Sequence, residues 1–140
     1  MLTLDQALTI VSTTLEHGAK LGLKPLTVAV LDSGGHLIAL QRQDGASNLR
    51  PQIATAKASG ALDLGVSSRT IAGMAIDRPS FVAALGPLAT KGLVPAAGGL
   101  IIENSDGLVI GAVGVTGDTS DNDEECALAG LTAANLQSRR

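Results

Sequence analysis

Histidine is the side chain best able to move a proton or hold a metal near neutral pH, and this chain has two, His17 and His36. His17 lies in a stretch that reads as helix. At about 100° per residue it falls opposite Leu15 and beside Ile10 and Leu21, so it stands on a second, weaker apolar face. Two roles fit that placement: a partly exposed surface histidine, or a histidine at a site or subunit interface, including a haem-iron ligand. His36 follows Gly34-Gly35 and either simply starts a strand or serves as a base. Neither histidine has a second histidine or a cysteine at zinc-like spacing, so no structural metal site is expected. Arg42 opens the run Arg42-Gln-Asp-Gly45, where a guanidinium at a strand end can anchor a carboxylate or propionate, or form a surface ion pair. Asp44 in the same run is a second candidate base. Lys57 sits among alanines, where its stem can cover apolar surface while its head reaches a pocket.

Asp118, Asp121, Asp123, Glu124 and Glu125 form an acidic cluster. Oxygen ligands of this kind can hold a hard cation, and acidic residues at a helix start also favour the positive end of its dipole. Cys126 lies in an apolar run and reads as a small core residue. There is no Gly-x-Ser-x-Gly elbow. Gly111-Ala-Val-Gly114 falls inside a strand, where a dinucleotide fingerprint does not belong, and no phosphate-binding loop occurs.

These residues need elements to position them. Thr3 to Leu21 is predicted as a helix, with Thr3 and Gln6 as a capping box and Leu4, Leu8, Val11, Leu15 and Ala19 as its core stripe. Leu26–Leu31 and His36–Leu40 are predicted strands joined by the Asp32-Ser-Gly-Gly35 turn, a hairpin. Pro51 marks the first turn of a small-sided helix running to about Leu64. Ser67 or Ser68 can cap a third helix, broken at Asp77-Arg-Pro-Ser80 and followed by a short helical stretch from Phe81 to Leu85. Gly86 to Gly99 reads as a long connector. Gly99–Glu103 and Leu108–Val115 form a second hairpin, cued by Asp106-Gly107. A final helix starts near Ser120, with Ser120 and Asp123 as its start signal, and carries Leu128, Leu131 and Leu136. Two hairpins among helices predict one antiparallel sheet with helices packed on it, an α+β fold.

Composition limits the functions open to this chain. The 140 residues fit one domain, 1–140. Net charge is −3 and Phe81 is the single aromatic residue, so neither a basic patch nor a stacking platform for bases is present. Arg139-Arg140 reads as a solvated basic end. One cysteine allows no internal disulfide, and no apolar run approaches the ~20 residues needed to span a bilayer. Without a signal-peptide pattern at Met1–Asp5, the chain reads as cytoplasmic, binding neither nucleic acid nor membrane.

The ordered set Val28-Ala-Val-Leu-Asp-Ser-Gly-Gly-His-Leu37, Arg42-Gln-Asp-Gly-Ala46, Gly98-Gly99, Gly111-Ala-Val-Gly-Val-Thr-Gly117 and Asp123 to Gly130 resembles the GlcG/HbpS family, haem-degrading or haem-binding proteins that include the C-terminal domain of PduO. The resemblance covers almost the whole chain. It implies a profilin-like α+β fold with a five-stranded antiparallel sheet, homo-oligomers that are often octamers, and haem as a cofactor of some members. It makes His17 the most credible haem contact. With His36, Arg42, Asp44, Lys57, Gly98 and Gly99 it forms the set of ligand-binding candidates. Where the family usually has Gly-Gly-x-Pro, this chain has Ile101, which leaves that strand start less constrained. Three functions follow: a haem- or tetrapyrrole-binding oligomer; an enzyme or binder of a small hydroxy or oxo acid, with Arg42 and Lys57 as anchors and Asp44 or His36 as base; or an accessory structural subunit.

Overall fold

The computed structural model describes residues 1–139; Arg140, half of the predicted basic end, lies outside them. The first helix, α1 (Leu4–Lys20), begins at the predicted capping box, with Thr3 Oγ1 accepting from the Gln6 amide at 3.1 Å and Gln6 Oε1 accepting from the Thr3 amide at 3.0 Å. Then come β1 (Thr27–Asp32), β2 (Leu37–Arg42), α2 (Arg50–Leu64), α3 (Ser68–Asp77) and α4 (Pro79–Leu85). A 3-10 turn over Gly86–Leu88, β3 (Gly99–Glu103), β4 (Val109–Thr116), α5 (Ser120–Ala133) and β5 (Gln137–Arg139) complete the chain. Pro51 opens α2, Gly65 ends it in the left-handed region, and Ser67 caps α3 through the Thr70 amide.

The five strands form one antiparallel sheet in the order β2-β1-β4-β3-β5. The two predicted hairpins join through β1 and β4, with Thr27 opposite Thr116 and Asp32 opposite Gly111. β5 was not predicted from its residues. Gln137-Ser-Arg139 has no strand signature, yet Asn135 turns the chain at φ 57 and lays this segment against β3. There Arg139 is not a free end: its Nε donates to Glu103 at 2.8 Å. Leu136 likewise lies beyond α5, packed against the core rather than carried on the helix.

The sheet has two unlike faces. On one, α1 and α5 cover Val28, Val30, Val113, Val115, Leu100 and Ile102 in the main core. The stripe predicted for α1 is corrected here. Leu4, Leu8 and Ala19 are exposed and Leu15 is half-buried, while Ala7, Ile10, Val11, Thr14 and Gly18 are buried. The reason is close approach. A Cβ on Gly130 of α5 would collide with Thr14 Oγ1 and press on the Ile10 carbonyl, and one on Gly18 would meet Leu26 and Cys126. Thr14, Gly18 and Gly130 take the points of closest approach, and Leu4 and Leu8 are left outside.

On the other face α2 lies with its backbone against the strands. A Cβ on Gly114 would overlap the Ala54 carbonyl, and one on Gly99 the Lys57 carbonyl. Ala54, Ala58 and Ala61 are fully buried there, as the small-sided sequence requires. The 86–98 connector covers the outer side of α2, where Leu93 meets Gly60 and Gly92 meets Ala56.

Candidate functional site

The two faces divide the candidate residues. His17, near the C-terminal end of α1, is on the α1–α5 side. Arg42, Lys57, Gly98 and Gly99 are on the α2 side. His36 is at the β1–β2 turn, the opposite end of β2 from Arg42, roughly 17 Å away along a six-residue strand. His36 and Arg42 of one chain therefore do not meet on one small molecule.

His17 is the candidate with chemical freedom. Its side chain is 34 % exposed and its Nε2 stands 3.2 Å from Glu125 Oε2 of α5. The α1–α5 contacts at Gly18 and Gly130 hold the two helices at that separation. A carboxylate on one imidazole nitrogen fixes the ring's orientation and tautomer and strengthens the other nitrogen as a ligand. With Nε2 donating to Glu125, the open lone pair is on Nδ1.

Lys57 is only 3 % exposed. Its ammonium donates to the Ala97 carbonyl at 2.9 Å, the Val115 carbonyl at 2.9 Å and Asp123 Oδ2 at 3.3 Å. Three protons meet three acceptors, which specifies the charged form. Burial pushes Lys57 below its ordinary value, and Asp123 opposes this. Burial likewise raises the Asp123 carboxyl, against the Asp118 amide and Lys57 that favour its charge. Gly98, at φ +127, leaves room for this head, since a Cβ there would lie 2.9 Å from Lys57 Nζ. The Gly99 amide donates to Ser68 Oγ at 2.7 Å. The Gly98-Gly99 pair thus meets protein atoms at close range. Ile101, in the place of the family's proline, pairs with Ala112 on one side and Arg139 on the other.

His36 Nδ1 is 3.2 Å from Asp32 Oδ1, which also accepts from the Gly34 and His36 amides. Those backbone donors, the His36 amide first, hold the Asp32 carboxyl below its usual range. Asp44 is exposed in the loop after β2, without an ion-pair partner among the described residues. Arg42 Nη1 reaches Asn48 Oδ1 at 3.4 Å.

The acidic cluster is taken apart by separate partners. Asp121 and Glu124 hold Arg69 at 2.5 and 3.1 Å, Glu125 faces His17 and Asp123 faces Lys57. Asp118 Oδ2 accepts from Asn122 at 2.8 Å, and this side-chain bond with the Thr119 and Lys24 amides lowers its carboxyl to about 2. The helix start also differs from the expected one: Thr119, not Ser120, caps α5 through the Asn122 amide. Among the described residues no group of three His, Cys, Asp or Glu side chains could hold a metal ion. Cys126 is fully buried, and burial pushes its thiol up to about 11, an inert core residue. Phe81 packs under the Arg78 guanidinium at 4.0 Å. No helix is long and apolar enough to cross a membrane among the described residues. Sequence reading missed Asp123 and Glu125 as partners of Lys57 and His17, because they lie 66 and 108 residues away from them.

Known structures share this architecture. A crystal structure of a PduOC:heme complex superposes with a TM-score of 0.88, covering 99 % of both chains at 20 % identity, a likeness of fold. The Klebsiella pneumoniae protein ORFY matches at 0.83 and 26 % identity, over 94 % of this chain and 89 % of its own. A double mutant of Streptomyces reticuli HbpS matches at 0.78 and 28 %, over 92 % and 84 %. No curated protein gives a significant match. The family model described as "Haem degrading protein HbpS-like" matches residues 2–132. With that match spanning nearly the whole chain, this protein belongs to the HbpS-like family.

Proposed function

We propose that the protein is a haem-binding homo-oligomer in which residues 1–140 work as one HbpS-like domain and His17 contacts the haem iron. The observation that carries this reading is the half-exposed His17 imidazole held by Glu125 at 3.2 Å. It is the arrangement in which a carboxylate positions a metal-ligating histidine. The family description and the haem bound by the PduOC relative support the choice of cofactor.

The residues present fit the group in one respect and shape it in another. His17 offers a partly exposed imidazole, but the chain's one aromatic side chain is engaged by Arg78, just before α4. The walls of a haem site are then aliphatic. Leu21, one turn beyond His17, is exposed in the single chain, and a second copy placed over it would cover it and complete such walls. Bound haem would supply the redox and oxygen chemistry. The chain's own residues bind and orient it: His17 contacts it and Glu125 sets the His17 ring. Arg42 faces the other side of the sheet, so a propionate of haem on His17 can meet only the Arg42 of another copy.

Hemin titration tests the reading. Wild-type protein should give a shifted Soret band saturating near one equivalent, and His17→Ala should weaken it about tenfold or more, the loss of one ligand bond. Absence of a shift at equimolar hemin removes the proposal.

A further inference from the structure

Two arginines, Arg42 at the end of β2 and Arg50 at the start of α2, have no carboxylate to answer them among the described residues. Arg50 is half-buried, and its Nη1 donates to Thr116 Oγ1 at 2.6 Å. Arg42 reaches Asn48 Oδ1 at 3.4 Å, two residues before Arg50. Among the described residues neither guanidinium lies within ion-pair distance of an acid, whereas Arg69 and Arg139 each do. Arg42, Thr27 and Thr116 form one cross-strand row over β2, β1 and β4. Directly paired residues of antiparallel strands project to the same face, and the Arg50–Thr116 bond shows that this face is the one α2 covers. Thr27, in the middle of the row, is fully buried, and its Oγ1 has no hydrogen-bond partner.

The helix adds to the same charge. α2 has 15 residues, no side-chain cap from Leu49 and no acid in its first turn. The Arg50 and Ile53 amides are taken by Ser47 and Leu49 carbonyls and Pro51 has none, which leaves the Gln52 amide. Behind the row Asp123 neutralises Lys57 alone. A groove lined by Leu40, Pro51, Gln52, Thr55 and Lys91 runs beside it.

We infer that this end of the α2 face is a binding site for a small oxyanion, with Arg42 and Arg50 as its charged donors and the Gln52 amide as a further donor, above the unpartnered Thr27 hydroxyl. A guanidinium fork matches a carboxylate or phosphate edge, and an uncapped helix start favours an anion. The groove beside Leu40 and Pro51 takes the rest of the molecule. This site is separate from His17 and stands without the haem reading.

The experiment is a thermal-shift and calorimetric titration of the full chain with inorganic phosphate and with acetate, against chloride at equal ionic strength. A rise over chloride with phosphate alone identifies a phosphoryl ligand, with acetate alone a carboxylate, and with both a general oxyanion site. The response should vanish in R42Q/R50Q and persist in H17A and K24Q. Arg50 also ties α2 to β4, so R42Q alone is the second variant. It leaves that tie in place and should bind about tenfold more weakly, the loss of one charge-assisted bond. No rise over chloride with either anion, or a rise that R42Q leaves unchanged, overturns the inference.

Discussion

The sheet of this protein is covered twice, by two opposite means. Under α2 the contact is backbone on backbone. Gly99 and Gly114 admit the helix, alanines fill the seam, and the buried Lys57 side chain ends in a closed set of acceptors. Under α1 and α5 the contact is made by branched aliphatic side chains, and the outward side keeps exposed leucines and a half-exposed histidine. Around Lys57 the first face is closed by the chain itself. The second is finished inward and unfinished outward, which is where a ligand or a second copy can add contacts.

The comparison breaks most readily at its tightest point. Gly114→Val should abolish the fold as read by far-UV circular dichroism, since its Cβ overlaps the Ala54 carbonyl and no rotamer avoids it. A variant that folds with the wild-type midpoint would show that α2 does not sit on the sheet as described. Next in size is the buried pair. Lys57→Met leaves Asp123 charged and enclosed, a loss of about 3–5 kcal/mol in urea unfolding. Lys57→Met with Asp123→Leu should recover most of it, because a well-packed apolar pair avoids both desolvation costs. Equal losses in the single and double variants would mean that Lys57 matters for packing alone. The smallest effect on folding sharpens the contrast. Leu8→Gln, on the exposed outside of α1, should change chain stability by no more than about 0.5 kcal/mol, yet lower the sedimenting mass if that surface joins copies. Unchanged mass would separate the α1 leucines from assembly.

Much of this fold could be read from local signals, because each was short in range. Thr3 with Gln6, Pro51, Ser67, the Asp32–Gly35 turn and Asp106-Gly107 name their own elements through bonds made within a few residues. Two features could not be read so. β5 is a strand only because β3 offers an open edge, and nothing in Gln-Ser-Arg announces it. The α1 stripe differs from the expected one because periodicity weights the leucines, whereas close approach at Thr14, Gly18 and Gly130 turns the arc of Ala7, Ile10, Val11, Thr14 and Gly18 inward. The site shows the same limit. His17, Arg42 and Lys57 stand out in the sequence by residue type and position alone. The Arg42 partner Asn48 is local, but Glu125 and Asp123 arrive through tertiary packing, and Lys57 is enclosed while His17 stays partly exposed.

The central claim is that the outward side of α1 and α5 holds haem through His17. Hemin titrated into wild-type protein and His17→Ala, both verified as folded by their unfolding midpoints, tests it most directly. The expected result is a shifted Soret band in the wild type that weakens about tenfold in the variant. A wild-type band identical to that of free hemin, or one of equal strength in His17→Ala, would contradict it.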